Sequence, residues 1–359
     1  MAIAGNKGEW SEIYVLLKLL GEGVVYAGDG NLEKIDNLYY PIINIIRQEE
    51  RKCEYMPDSK QQIVVINEDG IEMARIPMNV FLEKSEKLLN DIKGTKARSF
   101  EVPETELFMK DIKCRKLKAA STDKADIHII IHDLRTGMRP LLGFSIKSQL
   151  GGASTLLNAG HTTNVKYRVS GVYLSDDDIA EINAVDKQTE RMELLRKKGG
   201  RLNYSNIENK TFKNNLIFID SQLPKIVADC LAASFTEPVT MVSDIVKYLA
   251  QRNPLGFDAD NVESFYEHKI KNLLIDVALG MTPASVWQGR YDATGGYLVV
   301  RKDGEIVCFH FYNRNDVEDY LYNSTYFERA SRSRYDYGYL YRDADGGVYM
   351  RLNLQIRFK

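Results

Sequence analysis

"ADIHIIIHDLRTGMRPLLGFSIKSQLGG", residues 125–152, reads as two extended segments joined by a polar turn. In "ADIHIIIHD" (125–133) apolar and polar residues alternate and the apolar ones are β-branched, the pattern of a strand buried on one face. Ile127, Ile129 and Ile131 then point one way, and Asp126, His128, Ile130 and His132 the other. "LRTGMRP" carries turn chemistry: Gly137 can take a positive φ, and Pro140 keeps the chain extended as it enters "LLGFSIK". In that second strand Gly143, Ser145 and Lys147 share the face opposite Phe144 and Ile146. The simplest local arrangement is an antiparallel pair whose polar residues line one surface.

Working outward, helical spacing of Ile13, Leu16, Leu17 and Leu20 predicts a helix over 9–20 with one apolar stripe, and Glu9 and Glu12 on its other face. Further helices are expected at 34–50, 78–93 and 104–117, with a strand at 62–67. A third strand at 165–174 leads to a charged helix over 176–198, and three helical stretches follow residue 215. From about residue 290 the chain turns to short β-like runs. The clearest is "GGYLVVRKDGEIVCFHFY" (295–312), a hairpin turning at Asp303-Gly304. This tail is rich in tyrosine and holds nine arginines against two lysines. The fold class is mixed α/β. The expected division is a core over 1–214, holding the N-terminal helix and the paired strands, and a part over 215–359 with a helical segment and a β-rich end. No linker marks that boundary, so one compact unit fits equally.

At 359 residues, 44% apolar and 27% charged, with nine prolines, the chain reads as a soluble folded protein. No apolar run reaches the roughly 20 residues that span a bilayer, so no membrane association and a cytoplasmic location are expected. Cys53, Cys114, Cys230 and Cys308 are scattered singly without zinc-site spacing and read as reduced structural thiols. A net charge of −2 excludes a uniformly basic nucleic-acid coat and leaves room for local patches. Residues 110–124 hold six Lys/Arg against two Asp, and residues 191–201 five against one Glu. Each run fits a solvated face or a binding patch.

Asp126 and Lys147 on one face suit metal-dependent phosphodiester hydrolysis. A carboxylate holds Mg²⁺, and an ammonium orients the attacking water and offsets charge that builds on the phosphate. Asp126, eighteen intervening residues and then Ser145-Ile146-Lys147 resemble the core of the PD-(D/E)XK nucleases, with "AD" for "PD" and "SIK" for "EXK". Lys7-Gly8 followed by Glu12 is similar to the N-terminal helix of that superfamily, which contributes a glutamate to the metal site. "NKGEWSEIYVLLKLL" (6–20) and "GFSIKSQLGGASTLLNAGHTTN" (143–164) more specifically resemble the HpaII-type restriction endonucleases.

The resemblance implies a PD-(D/E)XK restriction-endonuclease-like core with helical insertions and a β-rich C-terminal part. It also implies a type II enzyme that cuts double-stranded DNA at the palindrome CCGG with Mg²⁺, paired with a methyltransferase that protects host DNA. Carried over residue by residue, it makes Asp126 and Glu12 metal-site acids and Lys147 the catalytic lysine, with Ser145 in the position that varies. Gln149 either positions the attacking water or is an exposed strand end. His128 and His132 share the face of Asp126 and read as structural, or as a base or metal ligand. Gly151, Gly152, Ser154, Thr155 and Asn158 have the composition of a loop that approaches phosphates. Arg329, Arg332 and Arg334 are the candidates for guanine contacts, or an ordinary exposed β surface. A palindromic target suits a two-fold homodimer, and a monomer cutting one strand at a time also fits. Two competing readings remain: a structure-specific or repair nuclease of the same fold, and a degenerate nuclease that only binds DNA.

Overall fold

The computed structural model describes residues 3–118, 125–290, 295–329, 335 and 337–359. The chain divides into two units, one of residues 1–153 and 292–317 and the other of 154–291 and 318–359. Residue 214 lies inside helix Lys210–Ile219 of the second unit.

The first unit is built on nine strands: β1 (Val24–Gly28), β2 (Lys34–Gln48), β3 (Lys52–Asp58), β4 (Ile63–Glu68), β5 (Ile71–Pro77), β6 (Ile127–Ile131), β7 (Leu141–Ser148), β8 (Gly296–Val300) and β9 (Ile306–His310). Their order is β1-β9-β8-β7-β6-β2-β3-β4-β5. A further pairing, Val24 of β1 opposite Pro41 of β2, closes the first six into a ring. The pairs β7–β8 and β9–β1 are parallel, and the others are antiparallel.

β6 and β7 form the antiparallel pair read from the sequence, with Ile127 opposite Phe144 and His128 opposite Gly143. Gly137 takes φ +72° in the connection. The other neighbour of β7 is β8, from the hairpin near the C-terminus, because the strand expected at 165–174 joins a sheet of the second unit.

The helix expected at 34–50 is instead the strand β2. Its Ile42-Ile43 and Ile45-Ile46 pairs are β-branched, and Pro41 would break a helix interior. In the strand, Pro41 sits where the partner changes: Tyr39, Tyr40 and Pro41 face β1, and from Ile42 the chain pairs with β6.

Helices α1 (Lys7–Glu22) and α2 (Met78–Gly94) pack on each other, and α1 also packs on the sheet. α1 is therefore buried well beyond one stripe: Trp10, Tyr14, Val15 and Leu19 join Ile13, Leu16, Leu17 and Leu20 in the core. The helix expected at 104–117 ends at Asp111, just before Lys113 turns the chain at φ +62°.

The second unit has a four-stranded antiparallel sheet, ordered Arg201–Ile207, Asn164–Ser170, Val348–Asn353 and Leu340–Arg342. Thr155–Leu157, Ile356–Phe358 and Thr325–Phe327 form a small second sheet. The single helix expected at 176–198 is two, Asp176–Ala184 and Gln188–Lys197. Helix Leu223–Thr236 covers the buried sheet face, where the Tyr167 hydroxyl donates to the Ala228 carbonyl at 2.7 Å. The tail read as β-rich also contains helix Arg314–Ser324. No described helix is long and apolar enough to cross a membrane. All four cysteines are buried and free of disulfides.

Candidate active site

Alternation along β6 buries Ile127, Ile129 and Ile131, so Asp126 at its start faces the same side as Ser145 and Lys147 of β7. The Asp126 N–H donates to the Phe144 carbonyl at 2.9 Å, which extends the ladder to the carboxylate-bearing residue. Asp126 Oδ2 then accepts from the Ile146 N–H at 2.6 Å and from the Ser145 hydroxyl at 3.0 Å. Ser145 Oγ in turn accepts from Lys147 Nζ at 3.1 Å. The result is a continuous chain, Lys147 to Ser145 to Asp126, along one sheet face. Asp126 Oδ1 accepts no hydrogen bond from the described residues.

Burial pushes the Lys147 ammonium below the usual lysine range, against the pull of the Asp126 and Glu12 carboxylates. Glu12 therefore acts electrostatically on the same lysine, although it comes from α1 rather than the sheet. α1 is fixed there by a capping box between Asn6 and Glu9 and by the Ser11 and Ser148 hydroxyls, 2.8 Å apart. Past β7 the Gln149 N–H donates to the Val300 carbonyl at 2.9 Å, so the backbone of Gln149 stays in the ladder. Gln149 is half-buried.

Sequence reasoning missed Tyr297. It stands opposite Ser145 in the parallel β7–β8 register, is 4% exposed, and has its ring centre 5.4 Å from Lys147 Nζ. Burial raises its hydroxyl pKa, and the Asp126 charge adds to the rise. No local signal marked it, because its place depends on pairing with a distant strand.

The remaining candidates are spread more widely. His128 and His132 are half-buried on β6 and just beyond it. Gly151 and Gly152 are exposed in the first unit; Ser154 and Thr155 are half-buried and Asn158 exposed in the second. Arg329 is half-buried and spends Nη2 on the main-chain carbonyls of Glu237 and Val239, beyond the end of helix Leu223–Thr236. That guanidinium face is committed to holding backbone. Arg332 and Arg334 lie outside the described residues. In the basic run 110–124, Lys110 pairs with Glu106, Arg115 with Glu68 and Lys118 with Glu9, so these charges are largely structural. Among the described residues no group of three or more His, Cys, Asp or Glu side chains is placed to hold a metal ion.

The HpaII restriction endonuclease family model matches residues 6–358. The chain is 41% identical over 357 residues to the type II restriction enzyme HpaII of Haemophilus parainfluenzae, covering 99% of this chain and 98% of that protein. No solved structure matches the chain. A near-full-length match to the family and to this relative, with the Asp126–Ser145–Lys147 chain inside it, means that the protein belongs to the HpaII restriction endonuclease family.

Proposed function

We propose that the chain is a type II restriction endonuclease that cleaves double-stranded DNA at CCGG by Mg²⁺-dependent hydrolysis, through a variant PD-(D/E)XK site. The observation that carries this reading is the hydrogen-bonded chain from Lys147 through Ser145 to Asp126, with the Glu12 charge acting on the same lysine. Family membership supports the substrate class.

The residues fit Mg²⁺. Asp126 keeps one carboxylate oxygen clear of donors among the described residues, Glu12 brings a second carboxylate, and a hard ion of this kind binds through one or two carboxylates while keeping several waters. Held by Asp126 and Glu12, Mg²⁺ would supply Lewis-acid chemistry, polarising a phosphate and lowering the pKa of a water.

The chain's own groups do the rest. Lys147 places its ammonium where charge accumulates in the transition state and directs the attacking water. Ser145 passes no charge of its own; its hydroxyl fixes Lys147 and Asp126 relative to each other. Gln149, in phase with Lys147, helps to position the same water. Gly151, Gly152, Ser154, Thr155 and Asn158 approach the strand phosphates. Arg332 and Arg334 remain the candidates for guanine contacts, and a partner methyltransferase protects the host sites.

Ser145 in place of an acid also suits a protein that only binds DNA. Lys147→Ala separates the two readings: cleavage falls by at least about 100-fold while the site is still bound, as expected for removal of a transition-state contact. Near wild-type cutting by that variant sinks the assignment.

A further inference from the structure

The basic run 191–201 takes no part in the site above. Helix Gln188–Lys197 runs into Gly199, whose φ of +90° reverses the chain into strand Arg201–Ile207. The Gly199 and Gly200 N–H groups return to the carbonyls of Arg196 and Leu195, so the turn is closed on itself and Arg196 and Arg201 flank it. Both arginines line a groove of about 790 Å³ on this unit, walled by helices Leu223–Thr236 and Val242–Arg252.

The charge on this groove is uncompensated. Arg196 and Arg201 are exposed and make no ion pair or hydrogen bond with a described residue. The groove's lining holds Arg196, Arg201, Lys225 and Arg252 against two carboxylates, Asp229, paired with Lys225 at 2.5 Å, and Glu237, so positive charge is in excess. Arg252 donates to the Tyr248 hydroxyl at 2.7 Å. Glu193, earlier on the helix of Arg196, pairs with neither arginine. The outer face of the four-stranded sheet contrasts with this, because Lys166, Arg168 and Arg351 there are paired with Asp343, Asp345 and Glu208. The groove therefore keeps an excess of positive charge that these sheet residues do not.

We propose that this groove binds the phosphodiester backbone of the DNA duplex, with Arg196 and Arg201 each holding one phosphate. The assignment rests on the nuclease reading and adds a second contact to it. A guanidinium presents a fork that matches phosphate oxygens, and the exposed Gly199 and half-buried Ala232 leave room for a backbone to come close. Contacts of this type position the duplex and carry no base information.

The test is equilibrium binding of the full chain to a CCGG duplex in EDTA, at several salt concentrations, for wild type, R196A/R201A and the paired-face control R168A/R351A. Each lost phosphate contact flattens the slope of log affinity against log salt by about 0.9. The groove variant therefore flattens it by about 2, with the preference for CCGG over a scrambled duplex unchanged, and the control keeps the wild-type slope. A wild-type slope in R196A/R201A overturns the groove alone. A wild-type chain that binds no duplex overturns the nuclease reading and the groove together.

Discussion

Ser145 gives its one proton to Asp126 and takes a hydrogen bond from Lys147, so it links the two charged groups without adding a third charge. Hydrogen bonds to charged groups are worth roughly 1.5–3 kcal/mol. Ser145→Ala should therefore lower kcat by about 10- to 100-fold with little change in duplex affinity, in single-turnover cleavage against a binding titration. Lys147 makes a second residue-scale prediction. Its pKa is lowered by burial, so the ammonium is lost as pH rises through a value below the usual 10.5. The cleavage rate should fall on the alkaline side before ordinary lysines titrate, and residual activity of Lys147→Arg should show no such limb. Asp126, Ser145 and Lys147 were legible because a strand has a period of two and the turn between these strands is short. Tyr297 was not, because parallel pairing brings it from a distant part of the chain. Arg329, one of three candidates for guanine contacts, holds two main-chain carbonyls through Nη2, which composition does not reveal.

Among the elements, β2 shows how tertiary pairing settles what local pattern leaves open. The stretch 34–50 has apolar residues at spacings a helix can use, yet strands wait on both of its sides and Pro41 denies it a helix interior. The β6–β7 pair, α2 and the β8–β9 hairpin followed the sequence pattern closely, since each is set by neighbours in the chain. β9 carries an acid-sensitive point. His310 is 2% exposed, between the rings of Tyr40 at 5.8 Å and Phe144 at 6.1 Å, and burial lowers its pKa from 6.5 to about 4. The unfolded chain binds this proton first, so the contribution to stability is intact above pH 6.5 and is lost as pH falls towards 4. At 1.36 kcal/mol per pH unit the loss is on the order of 3 kcal/mol. Urea unfolding at pH 7 and pH 4.5 should show that drop, and His310→Phe should flatten it. Asp133 nearby has its pKa lowered below 3.8 and does not contribute in this window. An equal drop in His310→Phe would remove the histidine from the explanation.

At the scale of the whole molecule, charge is distributed by function more than by count. The net of −2 hides two basic runs with different fates. In residues 110–124, Lys110, Arg115 and Lys118 are tied into ion pairs on the first unit, whereas in residues 191–201 Arg196 and Arg201 stay uncompensated on the groove of the second. Sequence alone cannot separate these cases, because the partnering carboxylates come from distant elements. The mixed α/β class and the strand pair of the site were readable from pattern; the interleaving of two units along one chain was not, since it depends on contacts between segments far apart. The proposed cleavage at CCGG through Asp126, Glu12 and Lys147 is open to one decisive measurement, plasmid digestion by the purified protein with Mg²⁺ followed by sequencing of the ends. Ends within CCGG, no product in EDTA and none from Lys147→Ala are expected. Cuts confined to branches or flaps, or no cleavage of unmethylated plasmid with any Mg²⁺ or Mn²⁺ concentration, would overturn the proposal.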